Sequence, residues 1–203
     1  RALNLRLGMQ VTDCSFEGMD DGGIMASNVS GSIRRCVFRD IQGDAIATSN
    51  KDSITIEYCT FDNVTGDASA AGIAVDTTNS EIVNIRHNIF ANYSGVGSAG
   101  IRIESGSTGG LVGPNAFWNC TSNIQLDGNP HAIDATAGDL NLASNPFQNI
   151  VSDIRDYTIN PASAAFASAT TPDNMTGSKD MSFGAIQNVS SGGSTAGTTV
   201  RPC

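Results

Sequence analysis

Lysine and glutamate are almost missing from this chain of 203 residues: two Lys, four Glu. Solvated helix faces are built from those residues, and leucine is also scarce at 7 against 18 Ile and 11 Val. A helical bundle is therefore excluded and strand-forming residues dominate. Positive charge is short as well, with 11 Lys and Arg against 20 Asp and Glu, a net charge of −9 and a pI near 4.4. That balance argues against nucleic acid and against anionic lipid as partners. His87 and His131 are the only histidines, too few for a zinc-centred enzyme. No run approaches the roughly 20 apolar residues that cross a bilayer, so membrane insertion is not expected. No basic and apolar leader opens the sequence, and the start at Arg1 reads as a processed or excised piece.

What is abundant is turn chemistry and a repeat. Gly 22, Ser 22, Thr 17, Asn 18 and Asp 16 make up nearly half the chain. The pattern aliphatic-x-x-(Cys or Asn)-x-Phe occurs at Val11/Cys14/Phe16, Ile33/Cys36/Phe38, Ile56/Cys59/Phe61, Ile85/Asn88/Phe90, Val112/Asn115/Phe117 and Leu142/Asn145/Phe147. Successive Phe are 22, 23, 29, 27 and 30 residues apart, each about one solenoid turn. A second strand follows each of the first five, carrying Ile24, Ile46, Ile73, Ile101 and Ile124 on one face. Met25, Ala47, Ala74, Arg102 and Gln125 fall on the other. Loops of varying length separate these constant strands, as expected where loops leave the stack on one side.

Equivalent residues on coils about 4.8 Å apart must form columns. Phe and Ile columns supply apolar burial. Cys14, Cys36, Cys59, Asn88, Asn115 and Asn145 would form one interior column. Asn amides there bond along the stack, and Cys acts as a small buried hydrophobe. These columns, with the run ITIEYCTFDNVTG, resemble the right-handed parallel β-helix of the pectin-lyase-like superfamily over about residues 3–160. The expected fold is an all-β, right-handed, single-stranded parallel β-helix of about six coils with a short C-terminal cap. Leu3-Asn4-Leu5-Arg6-Leu7 reads as a strand of a preceding, incomplete coil. Such an end exposes strand edges, which suggests stacking on another copy or a neighbouring structural subunit.

The run Asp156-Tyr157-Thr158-Ile159-Asn160-Pro161 through Phe166 resembles the closing segment of secreted bacterial β-helix repeat proteins. Ala164, Ala167 and Ala169 stand where Pro, Asp and Gly are usual in that segment. Phe183-Gly184-Ala185-Ile186 would be the last strand, and Ala162 to Ala169 a short capping helix. The expected organisation is coils over 1–160, a cap and last strand over 161–189, and a flexible Gly/Ser/Thr tail over 190–203.

Cys14, Cys36 and Cys59 read most simply as buried thiols. Cys120 and Cys203 lie outside the column; they either pair with each other, pair with a neighbouring subunit, or are two exposed free thiols. Six N-x-S/T sequons, at Asn28, Asn63, Asn92, Asn119, Asn174 and Asn188, are glycan acceptors if the source is eukaryotic. An acidic, lysine-poor solenoid favours an extracellular, cell-surface or virion setting.

The superfamily resemblance implies lyases, hydrolases, epimerases, tailspikes, adhesins and fibres, so the fold alone leaves function open. A glycosidase needs two carboxylates at a fixed separation. The adjacent pair here, Asp20-Asp21, sits beside glycines, and the Asn-x-Asp, Gly-His-Gly and Arg-x-Lys elements of the hydrolase relatives are absent. A lyase needs a cation against the uronate carboxylate and a base. Lys51, Arg86 and Arg102 are candidates without a surrounding signature, and His87 should point outward. One constellation stands out: Ser27, Ser49, Asp76, Glu104 and Asp127 share an outer face with Arg102 and Gln125. Asp76, Arg102, Glu104 and Asp127 are the candidate catalytic set, and Arg102, Gln125 and Asp127 the candidate carbohydrate contacts. Stacked Asp76, Glu104 and Asp127 invite a cation such as Ca2+, although no cofactor is required. The reading that fits these features is a non-catalytic extracellular module, structural or carbohydrate-contacting, in a fibre, appendage or phage particle. A polysaccharide lyase or glycoside hydrolase acting on an acidic polysaccharide is the alternative.

Overall fold

The structure is a computed structural model and describes residues 3–27, 30–49, 53–63, 69–76, 82–104, 112–126, 129–131, 139–151, 154–160, 162–163 and 201–202. Strand β1 (Leu3–Asn4) precedes the first full coil of β2 (Met9–Thr12), β3 (Cys14–Glu17) and β4 (Ile24–Ser27). The second coil is β5 (Ser30–Arg34), β6 (Val37–Arg39) and β7 (Ile46–Ser49); the third is β8 (Ser53–Glu57), β9 (Thr60–Asp62) and β10 (Ala71–Asp76). The fourth is β11 (Ile82–Arg86), β12 (Ile89–Ala91) and β13 (Ala99–Ile103). In the fifth, β14 (Ala116–Trp118) and β15 (Ser122–Leu126) are complete, and the first strand shrinks to a bridge between Val112 and Ile85. Among the described residues the stack thus has four complete three-strand turns and a partial fifth, not about six.

Three parallel sheets result. The first runs β1-β4-β7-β10-β13-β15, the second β2-β5-β8-β11, and the third joins β3, β6, β9, β12 and β14. Pairing is in register at the rungs of the first five repeats. Ile24, Ile46, Ile73, Ile101 and Ile124 oppose one another along the first sheet, and Val11, Ile33, Ile56 and Ile85 along the second. In the third, Phe16, Phe38, Phe61, Phe90 and Phe117 stack face to face, with centroids 4.9, 4.9, 4.8 and 5.2 Å apart and rings within 14° of parallel. All five are buried, each contributing about 1.5–3 kcal/mol through burial. The rings also explain two glycines. A Cβ on Gly72 would lie 2.6 Å from the Phe90 ring, and one on Gly100 2.8 Å from the Phe117 ring.

Each passage from the second sheet to the third bends at a residue with positive φ: Asp13, Arg35, Tyr58 and His87, at 50–57°. The column position follows directly, and it repairs the bend. Asn88 Oδ1 accepts the Cys59 amide at 2.9 Å, and Asn115 Oδ1 accepts both the Asn88 amide and its Nδ2 at 3.1 Å. Asn88 Nδ2 and Asn115 Nδ2 donate to the carbonyls of Ile56 and Ile85, one coil back. In the cysteine coils, the Cys36 and Cys59 thiols donate weakly to the matching carbonyls of Val11 and Ile33, at 3.6 and 3.7 Å. Cysteine therefore does more here than fill space.

The column does not continue to Asn145. Strand β16 (Asn129–His131) turns back antiparallel on β15 and closes the first sheet. The chain then lays β17 (Leu140–Asn141) on β14, with Asn141 opposite Phe117. Asp139 Oδ1 takes the Asn115 amide at 2.6 Å and fills the rung expected of Asn145. Asn145 instead accepts the Phe147 amide within its own turn. Phe147 opens β18 (Phe147–Val151), which pairs antiparallel with β19 (Ile154–Ile159) outside the three sheets. A cap is expected over 162–169; there, only Ala162 and Ser163 are described, in a turn closed by Asn160. The proposed last strand at 183–186 lies outside the described residues. From the stretch read as a tail, β20 (Arg201–Pro202) pairs parallel with β3, Arg201 opposite Cys14 and Pro202 opposite Ser15.

Candidate functional site

Alternation on the first sheet places the expected outer columns in register. Met25, Ala47, Ala74, Arg102 and Gln125 oppose one another, as do Ser27, Ser49 and Asp76. The Glu104 amide bonds the Val75 carbonyl, which sets residues 76 and 104 on neighbouring rungs. Glu104 is exposed. Asp127 lies outside the described residues, and for Asp76 only the backbone placement is described.

Arg102 lies on β13. It reaches across β10, where Ala74 leaves room, to Asp44 just before β7. Its Nη2 sits 2.8 Å from both Asp44 oxygens, and Nη1 donates to the Ser69 carbonyl at 2.9 Å. Asp44 Oδ1 also accepts the Ala71 amide. The arginine thus ties the loops before β7 and β10 to β13. Gln125 is likewise withdrawn: it is buried, and its Nε2 donates to Ser122 Oγ at 3.3 Å. The expected carbohydrate contacts Arg102 and Gln125 are therefore engaged within the solenoid. Small residues at 47 and 74 let a long side chain fold flat instead of pointing into solvent.

The second sheet holds a charge column that the sequence reading did not identify. Thr12, Arg34, Glu57 and Arg86 occupy equivalent rungs. The Glu57 side chain is only 1% exposed, with Arg34 Nε at 2.8 Å on one oxygen and Arg86 Nε at 2.9 Å on the other. Burying that carboxylate is tolerable because both oxygens are paired with cations. Arg86, a candidate lyase cation, is thus a partner of Glu57. Its signal was present: the aligned repeats read Ile33-Arg34, Ile56-Glu57 and Ile85-Arg86, opposite charges one coil apart.

The adjoining bend column pairs just as closely. Arg35 grips Asp13 through Nε and Nη2, both at 2.7 Å, and that hydrogen bonding, with the positive charge, holds the Asp13 carboxyl below its ordinary range. His87 does not face solvent. It is 3% exposed and stacks on Tyr58 at 5.1 Å, because the positive-φ bend turns it along the corner rather than outward. Burial, then the neighbouring Arg86 charge, pushes its pKa down to about 4. A neutral, stacked imidazole at this corner is a packing element.

The remaining candidates resolve individually. Asp20-Asp21 is an exposed turn. Lys51 lies outside the described residues, as do Asn28, Asn174 and Asn188. Asn63 is buried, so a glycan there has no room. Asn92 Nδ2 donates to Asp62 and its Oδ1 accepts from Asn119 Nδ2, at 2.7 and 2.8 Å. A glycan on either nitrogen would break this ladder. Cys36 and Cys59 are free and buried as expected. Cys14, expected to be a thiol, is disulfide-bonded. Cys120 is free and half-buried; burial raises its pKa to about 12, so no thiolate is available there. Among the described residues no group of three or more His, Cys, Asp or Glu stands together to hold a metal ion.

Three parallel sheets wound coil on coil, with in-register interior columns and variable loops, define a parallel β-solenoid. The family model for the right handed beta helix region matches residues 6–133, more than half of the chain, which belongs to that family. The pectin-lyase-like resemblance is consistent with this membership. No curated protein and no solved structure matches the chain.

Proposed function

We propose that this protein is a non-catalytic, extracellular β-helix module, with a structural or carbohydrate-contacting role in a fibre, surface appendage or phage particle. The observation that carries the reading is the engagement of Arg102. A lyase needs its cation free to meet a uronate carboxylate, and this guanidinium already holds Asp44 on both oxygens. Arg86 is also engaged, its Nε donating to one oxygen of Glu57. The disulfide at Cys14 supports an oxidising compartment, where such bonds persist.

The glycan-contacting surface in this reading is the outer face of the second sheet rather than Arg102 and Gln125. Gln10, Ser32, Thr55 and Asn84 oppose one another there across four coils, none of them buried. A flat polar ladder about 4.8 Å per rung offers hydroxyl and amide groups to an extended polysaccharide without a cleft. The test is a panel of acidic and neutral polysaccharides assayed for binding, for unsaturated-product absorbance and for reducing-end release. Binding without turnover, weakened in Thr55→Ala with Asn84→Ala, is expected. Turnover that disappears in Asp76→Ala or Glu104→Ala would replace this reading with the lyase or hydrolase one.

A further inference from the structure

Among the described residues, the first and second of the three sheets end on the N-terminal side of the stack at β1 and β2. The third ends instead at β20, which covers β3 there. Two residues, Arg201 and Pro202, form that cover, and a parallel two-residue strand has little to hold it in place. A covalent tie beside it would change that. Cys14, on β3 directly opposite Arg201, is disulfide-bonded. Cys36, Cys59 and Cys120 are free. The chain has five cysteines, and the fifth, Cys203, follows Pro202 in sequence.

We propose that Cys14 is joined to Cys203, and that this bond is a latch holding β20 over β3 so that the N-terminal edge of the third sheet is closed to strand addition by a second copy. The reach is sufficient. The 40 residues between Asn160 and Arg201 span up to roughly 130 Å when extended, while five rungs at about 4.8 Å stack to roughly 25 Å. The bond forms by thiol–disulfide exchange with a small disulfide oxidant such as glutathione disulfide. One thiolate attacks the oxidant and releases a thiol. The second thiolate then attacks the mixed disulfide, releasing another thiol and leaving the Cys14–Cys203 bond. Two electrons pass to the oxidant, which leaves as two thiols. Unpaired strand edges recruit other strands, so a covalently held cover has a direct use here. This inference is independent of the carbohydrate reading.

The first measurement is alkylation of the whole protein in denaturant without reductant, followed by trypsin and mass spectrometry. The fragment Leu7–Arg34 should be linked to Asp180–Cys203, with Cys36, Cys59 and Cys120 alkylated. Alkylated Cys203, or a link from Cys14 to a second chain, overturns the proposal. The second uses Cys203→Ser, with Cys120→Ser as the control that loses a cysteine elsewhere. Amide exchange over residues 14–17 should accelerate about tenfold in Cys203→Ser, as for an opened edge, while β9 and β12 stay protected, showing an intact core. Light scattering should show Cys203→Ser self-associating with concentration and the control not. Unchanged exchange at 14–17, or a mass that does not rise, overturns the latch.

Discussion

Inside the solenoid, Phe38 meets Phe61 and Ile46 meets Ile73 on adjacent rungs, each residue touching its own kind one coil away. On the outer faces of the first and second sheets, Arg102 passes over Ala74 to reach Asp44 two coils back, and Glu57 is shared between Arg34 above and Arg86 below. The interior therefore obeys translation: what one coil carries, the next repeats. The exterior obeys complementarity, since a charge repeated at 4.8 Å would repel itself. The cation of the candidate reaction face follows the same rule, since Arg102 is paired with Asp44.

Mutations separate the two regimes. The largest effect belongs to the interior: Phe61→Ala removes the middle ring of five and should cost about 3–5 kcal/mol in chemical denaturation. At the corner between the regimes lies His87, whose folded pKa of about 4 is below the ordinary 6.5. The unfolded chain binds a proton near 6.5 that the folded chain refuses until about 4. Stability from His87 is thus full above 6.5 and is lost as pH falls through that window, by up to about 3 kcal/mol. Denaturation midpoints from pH 7 to 4 should show this slope, and His87→Asn should flatten it. Asp13, also lowered, loses its contribution only at more acid pH.

Within the interior column, Asn115→Leu strands the Asn88 amide, at a cost of about 1–3 kcal/mol, while the Ile85 carbonyl keeps its bond from the Gly113 amide. Cys36→Ala should cost less, since only a small cavity and a weak thiol bond are lost. Equal costs at 36 and 115 would erase the distinction between the two kinds of rung. The smallest effect is on the outside: Arg102→Ala should cost no more than about 1 kcal/mol, the scale of a partly exposed ion pair. A cost like that of Phe61→Ala would show that the outer face stabilises the stack as strongly as the core.

The same division decides what could be read from the chain alone. The Phe, Ile and Cys/Asn columns were legible because translation writes them at one spacing, and even the incomplete first coil at Leu3-Asn4 pairs as β1 should. Asn145 misled because it carries the motif without the coil: β16 had already closed the first sheet, and Asp139 supplies an oxygen from a segment with no repeat pattern. Asp44 was invisible for a similar reason, since it lies in a loop whose length varies between coils. Glu57 was readable and missed, because the search looked for like residues on equivalent rungs and not for opposite ones. His87 was placed by strand alternation, which does not hold at a residue with positive φ.

Register is the claim on which all of this depends, because a slip of one residue in any coil would turn the polar ladder inward and the aliphatic columns out. Thiol labelling of the native protein tests it directly. Cys36 and Cys59 lie in the interior with no exposed surface, so the account predicts that neither reacts under native conditions and that both react together as the solenoid unfolds in denaturant. Rapid labelling of either cysteine in the folded protein would contradict the register and, with it, the outer face assigned here.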